Sequence, residues 1–132
     1  MKEDTAIEEI VLNPTLDLYK ELFNIRTKEW KYWMKHNEYD TAGSFDDLLN
    51  KLEPYKAFES IKYIVDLLHM QLDKDLFITC LSLLLDMVKV SNTTEIPDEL
   101  RNDLKLIEIR VKELNEKDVT LLFDSIKEWY RE

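Results

Sequence analysis

A chain of 132 residues, 45% of them hydrophobic, carries enough apolar material for one domain with a sizeable core, which excludes a disordered chain. A single glycine and three prolines exclude a fold built from tight β-hairpins. The formal net charge of −10 argues against direct nucleic-acid binding, because phosphate contacts need clustered lysine and arginine, and it favours a cationic partner. We therefore expect residues 1–132 to form a single helical domain.

The first long helix is predicted from a start signal near residue 13. Asn13 supplies a capping side chain and Pro14 suits the first helical position. Apolar residues then recur at helical spacing to about His36. Arg26 and Thr27 interrupt this pattern, so we expect a bend or a polar contact at that point.

Five further start signals follow along the chain. They are a capping box at Ser44–Asp47 before a short helix, Pro54 before a helix of roughly 55–72, Asp73 before 74–90, Pro97 before a helix to about 114, and Asn115 with Asp118 before a last helix to about Tyr130. These signals predict an all-α domain of about six helices. We expect the helices to form helical hairpins in a single-domain bundle or a short stack.

The segment 74–90 is predicted to be the central helix. Eleven of the sixteen residues from Asp75 to Val90 are apolar. The polar ones share one narrow face of a helix: Asp75, Thr79, Ser82, Asp86 and Lys89. A helix that is apolar nearly all round is buried nearly all round, so the other helices should pack around this one.

The polar stretch "SNTTEIPDEL", residues 91–100, is interpreted as a bend between two helices. Ser91 and Asn92 compete for backbone hydrogen bonds and so favour a helix end. Ile96 precedes a proline and is pushed out of helical conformation, while Pro97 is preset for the next helix. A working site in this stretch is the alternative.

Residues that carry catalysis are scarce in this sequence. Cys80 lies among apolar residues, whereas a catalytic thiolate needs partial exposure and a cationic neighbour. A dyad of Cys80 with His69 is therefore disfavoured, and His69 follows Asp66 at the spacing of an ordinary surface pair. One glycine in the chain excludes the glycine-rich phosphate-binding motifs. We predict no catalytic residue and no cofactor, so the protein is not expected to be an enzyme.

A metal centre is not predicted either. His36, Glu38 and Asp40 come close together in a loop, but no second histidine or cysteine lies at ligand spacing. The lone cysteine indicates a reducing compartment. The N-terminal "MKEDTAIEEI" lacks the apolar core of a signal peptide, and no stretch has the length of a membrane span. A cytoplasmic protein without membrane contact is the expectation.

A contrast in charge marks a candidate protein interface. Residues 26–36, "RTKEWKYWMKH", carry four cations against one acid, a balance of +3, which leaves −13 on the rest of the chain. Tyrosine is a frequent interface anchor, and acids around it would steer a basic partner. The predicted interface, named so below, comprises Tyr32, Tyr39, Glu38, Asp40, Asp46 and Asp47. The alternative is structural: the lysines are solvated, the tryptophans are core and the acids are helix caps.

A family resemblance rests on residues 83–100, "LLLDMVKVSNTTEIPDEL", a buried helix that breaks before a proline-started helix. With the small size, acidity and helical character, this stretch resembles helical immunity proteins that bacteria encode beside polymorphic or contact-dependent toxins. The resemblance covers residues 55–132 and supplies no functional residue. It implies a stoichiometric inhibitor that binds and occludes a cognate toxin domain, often a basic one. The alternative is an acidic regulatory or adaptor module that binds a cellular protein or mimics nucleic acid.

Overall fold

The computed structural model of the protein describes residues 2–35 and 45–131, apart from the side chains of residues 29–35. Over these ranges the chain forms seven α-helices and no strand, so the prediction of an all-α bundle is confirmed. The helices are α1 (Glu3–Leu12), α2 (Leu16–Lys35), α3 (Asp46–Leu49), α4 (Pro54–His69), α5 (Lys74–Ser91), α6 (Asp98–Leu114) and α7 (Lys117–Tyr130). Helix α1 is the element that the start signals did not indicate.

Two of the predicted helix starts are confirmed at the residue level. The Asp73 side chain accepts hydrogen bonds from the backbone N–H groups of Asp75 and Leu76, which satisfies two free donors at the start of α5. Pro54 occupies the first position of α4, where its missing N–H is not needed. Ser44 of the predicted capping box lies outside the described residues.

Two predicted asparagine caps are wrong. Asn13 ends α1, and the Thr15 hydroxyl oxygen accepts the 3.2 Å hydrogen bond from Leu18 N–H at the start of α2. Asn115 ends α6 with a left-handed backbone at φ 50°, a conformation that asparagine tolerates well. Helix α7 then begins after Glu116, whose side chain makes no capping hydrogen bond.

Helices α4, α5, α7 and α6 form a four-helix arrangement, in that order around the core. Helix α5 packs against α4 and α7, and α6 packs against the other sides of the same two helices. Helices α5 and α6, although consecutive in the chain, therefore lie diagonally opposite each other. Residues 58–62 of α4 lie beside the start of α6, and His69 at the end of α4 contacts Asp103 further along α6. Helices α4 and α6 therefore run in the same direction.

Helix α5 is the central helix, as its composition predicts. It contacts α3, α4 and α7. Its buried residues are Phe77, Cys80, Leu81, Leu83, Leu84, Leu85, Met87, Val88 and Ser91. The predicted polar residues of α5 all retain solvent exposure, which confirms the orientation of the helix.

The linker from Asn92 to Pro97 crosses the end of the bundle from α5 to α6. Asn92 ends α5 in a left-handed conformation, and Ile96 turns inward and is buried. The indole N–H of Trp129 donates a 2.8 Å hydrogen bond to the carbonyl oxygen of Thr93, which ties the linker to the end of α7. The interpretation of this stretch as a bend between helices is thus confirmed.

The hairpin of α1 and α2 docks on α4. The hydroxyl of Tyr19 donates a 2.6 Å hydrogen bond to Ser60 Oγ, which in turn donates to the carbonyl oxygen of Lys56 at 2.7 Å. Arg26 makes a 3.4 Å ion pair with Glu3 of α1, so the polar interruption of the α2 pattern is a contact within the hairpin.

The phenol oxygen of Tyr130 is buried without a hydrogen-bond partner among the described residues. Burial accordingly raises the pKa of this phenol. A buried polar group without a partner costs desolvation energy, so Tyr130→Phe is expected to raise the free energy of unfolding by about 1 kcal/mol. Urea denaturation followed by circular dichroism measures the change. The control is Tyr63→Phe, which alters a half-exposed tyrosine and should leave the midpoint in place; a destabilised Tyr130→Phe protein would contradict the prediction.

Candidate functional site

The structure describes only part of the predicted interface. Tyr32 belongs to α2, but its side chain lies outside the described set, and so do Glu38, Tyr39 and Asp40. Asp46 and Asp47 are exposed in the first turn of α3. The juxtaposition of the two tyrosines with the four acids therefore stays a prediction.

Asp46 and Asp47 line a cavity of about 220 Å³ between the α1–α2 hairpin and α3. The Glu3–Arg26 ion pair lies in the same wall, so one cation already offsets part of the acidic charge. Burial raises the pKa of Asp86 on α5; the Lys89 ammonium opposes this rise, and the Asp46 carboxylate adds to it. This cavity combines acids with a paired arginine, which makes it a mixed-charge surface.

A second concave surface, here called the linker groove, lies where α4 meets the start of α6. It has a volume of about 280 Å³. The residues that line it are Phe58, Glu59 and Lys62 of α4, Glu95, Ile96 and Pro97 of the linker, and Asp98 and Glu99 of α6. The linker groove exists because the diagonal crossover brings the first turn of α6 beside α4.

The rim of the linker groove is strongly acidic. It carries four carboxylates, from Glu59, Glu95, Asp98 and Glu99, against the single cation of Lys62, a net charge of −3. All four acids are exposed, and none makes an ion pair within the described part of the chain. The Lys62 ammonium instead lies 5.0 Å from the ring centroid of Tyr63, on the same helix.

The floor of the linker groove is apolar. Phe58 is half-buried, and Ile96 and Pro97 are buried. Tyr55 precedes Phe58 by three residues on the same helical face and is 61% exposed. An apolar floor with a carboxylate rim suits a lysine or arginine side chain, whose aliphatic stem packs on carbon while the charged head meets the acids.

The backbone holds the acidic rim in place. Glu95 N–H donates a 3.1 Å hydrogen bond to the hydroxyl oxygen of Thr93, and the carbonyl oxygen of Thr93 accepts the bond from Trp129. Asp98 and Glu99 belong to the first turn of α6, where the helix dipole stabilises negative charge. Three of the four rim acids therefore lie on a segment whose position is fixed by these hydrogen bonds and by the start of α6.

The sequence left a working site in residues 91–100 as an alternative but did not indicate the groove that this stretch forms with α4. The available signal was an aromatic pair, Tyr55 and Phe58, which shares one helical face with Glu59. What was missing was the contact between α4 and α6, which no local pattern reports.

The candidate catalytic residues lie apart from both cavities. Cys80 is fully buried, its sulfur lies 3.8 Å from the carbonyl oxygen of Ile64, and burial raises the pKa of the thiol. His69 Nε2 lies 2.9 Å from Asp103 Oδ2 of α6, so the predicted pairing of His69 with Asp66 is wrong. Among the described residues, no group of three or more histidine, cysteine and acidic side chains is placed to hold a metal ion.

Comparison of the chain with models of known protein families, with curated proteins and with solved structures finds no match. None of the helices in the described ranges combines the length and the apolar character that a membrane span requires. The linker groove is thus interpreted from the chemistry of its own residues.

Proposed function

We propose that the protein is a stoichiometric binding protein for a basic protein partner, and that it acts as an immunity protein that neutralises a cognate bacterial toxin. The observation that carries the proposal is the linker groove, whose carboxylates have no cationic partner in the described chain and whose floor is apolar. The net charge of −10 supports the same partner chemistry, because it attracts cationic surfaces at long range.

Binding in this proposal has two physical stages. The acidic surface first accelerates the encounter with a cationic partner, an effect that salt weakens because the Debye length is about 8 Å at physiological ionic strength. A lysine or arginine of the partner then enters the linker groove and packs on Phe58. Aromatic side chains of this kind are frequent anchors of protein interfaces. Neutralisation follows because the bound protein covers the catalytic surface of the toxin.

A charge-matched pair of variants tests the location of the site. The groove variant carries Glu95→Gln, Asp98→Asn and Glu99→Gln, and the control carries Glu8→Gln, Asp118→Asn and Asp124→Asn, which neutralises three exposed acids elsewhere. Both variants lose three negative charges, so a difference between their association rates is due to the position of the neutralised acids. We expect the groove variant to associate with the toxin domain encoded by the adjacent gene about tenfold more slowly than the parent at low salt. The control should show a far smaller decrease in association rate. Stopped-flow fluorescence measures both rates.

Co-expression with the toxin gives the functional readout. Cells should die with the groove variant and survive with the control. Equal protection by both variants would contradict the proposal that the linker groove binds the toxin. Neutralising Asp40, Asp46 and Asp47 then tests the predicted interface, which would take its place if that variant alone fails to protect. A protein that binds no product of an adjacent gene would contradict the toxin-neutralising role and favour the adaptor alternative.

A further inference from the structure

Helix α6 presents apolar side chains on the face that points away from the bundle. Ile107 and Val111 are buried against the core, whereas Ile109 is 54% exposed and Leu106 is 58% exposed. At 100° per residue, Ile109 stands opposite the buried face of α6. An isoleucine and a leucine one turn apart on an outward face contribute nothing to the core, so they call for another explanation.

Two opposite charges flank Ile109 at equal distances along the helix. Lys105 precedes it by four residues and Glu113 follows it by four, and both are exposed. These three residues form an i±4 ridge, here called the α6 ridge, whose side chains are positive, apolar and negative in chain order. Neither charge makes an ion pair in the described chain, whereas the neighbouring Glu108 and Lys112 are already joined at 3.0 Å.

The α6 ridge is complementary to itself when reversed. We propose that a second copy of this chain docks here, with the two α6 helices antiparallel and a twofold axis beside Ile109. Each Lys105 then lies against Glu113 of the other copy, and the two isoleucines meet at the centre. A twofold axis makes the contact isologous, as in most homodimers.

The apolar surface continues beyond the α6 ridge towards the loop between α4 and α5. The guanidinium of Arg110, one turn after Leu106, donates a 3.0 Å hydrogen bond to the carbonyl oxygen of Leu72, and it lies 4.8 Å from the ring centroid of Phe77. Leu72 is itself exposed, and its backbone is held beside α6 by this bond. The twofold arrangement places Leu106 of both copies on the same face of the helix pair, where each adds exposed apolar surface.

Charge exchange tests the proposal, with the concentration dependence of sedimentation velocity as the readout. Lys105→Glu and Glu113→Lys each turn two attractive contacts into two repulsive ones, so each variant should dimerise at least about tenfold more weakly. The double variant K105E/E113K reverses both signs and should dimerise like the parent. Mixing the two single variants should restore dimers, because the acidic ridge of one then faces the basic ridge of the other.

The outcomes separate the possible occupants of this face. A parent protein that stays monomeric over about a hundredfold range of concentration would overturn the proposal. Dimers that neither single variant weakens would overturn it as well. If Ile109→Asp instead weakens binding of the basic toxin domain and leaves the association state unchanged, the face belongs to that partner. Thermal melts followed by circular dichroism, recorded at a concentration where the parent is monomeric, should match the parent for all four variants, since the substituted side chains are exposed.

Discussion

Replacing Leu84 by aspartate is expected to unfold the protein or to lower its free energy of unfolding by more than about 4 kcal/mol. Leu84 is fully buried at the centre of α5, which packs against three other helices. Among the described residues the core holds no cation to pair with a carboxylate there, and an unpaired buried charge is among the most destabilising changes a protein undergoes. Guanidinium denaturation followed by circular dichroism measures the loss.

The matched control is the same substitution on an exposed helical surface. Leu121 of α7 is exposed, so Leu121→Asp should cost only the difference in helix propensity, within about 1 kcal/mol. If Leu84→Asp and Leu121→Asp melt alike, α5 is not the core of the bundle. Sedimentation distinguishes an unfolded Leu84→Asp chain from an aggregated one.

Replacing Tyr19 by alanine is expected to cause the second large loss of stability, because it removes a buried ring from the contact between the α1–α2 hairpin and α4. The ring of Tyr19 is fully buried and lies 6.4 Å from the ring of Tyr63 on α4. Removal of a buried aromatic ring costs about 3–5 kcal/mol through lost burial and the cavity left behind. Urea denaturation should show this loss as an earlier midpoint.

Two controls separate the ring from its hydroxyl. Tyr19→Phe keeps the ring, and Ser60 keeps its own bond to the carbonyl oxygen of Lys56, so the cost should be near 1 kcal/mol. Tyr55→Ala removes an exposed tyrosine and should leave stability almost unchanged. If Tyr19→Ala behaves like Tyr55→Ala, the hairpin is not docked through Tyr19.

The sequence predicted the main helices because their signals are local. Asp73 caps its own helix, Pro54 begins its own helix, and the apolar run of α5 lies within one segment. Helix α1 was missed because Ala6, Ile7 and Ile10 are its only buried residues and stand among acids. The burial of these residues depends on α2, which a local pattern does not include.

The asparagine caps failed for a physical reason. Asparagine is suited both to an N-cap, through its side-chain oxygen, and to the left-handed residue that ends a helix. Where two helices are separated by only a few residues, one asparagine satisfies either role. Asn115 takes the left-handed role at the end of α6, whereas Asn13 ends α1 with an extended backbone and Thr15 supplies the side-chain bond at the start of α2.

The candidate site was less predictable than the fold because it is built from distant segments. The linker groove joins residues near 58 with residues near 97, and their proximity depends on α6 running beside α4 in the same direction. Composition indicated acids on both segments and aromatic rings on the segment near 58, but not the concave surface between them. The tyrosines of the predicted interface, Tyr32 and Tyr39, lie outside the described side chains, and their role stays a prediction.

The diagonal crossover gives the linker groove a mechanical property. One wall belongs to the α4–α5 hairpin and the other to the α6–α7 hairpin, so an occupant of the groove adds a further cross-link between two halves of the chain that already pack against each other through α5 with α7 and α4 with α6. Separation of the hairpins would destroy the groove, and a bound partner therefore opposes that separation by mass action, by about 2.7 kcal/mol at a hundred times its Kd. A partner held there would lengthen the lifetime of this protein against proteases.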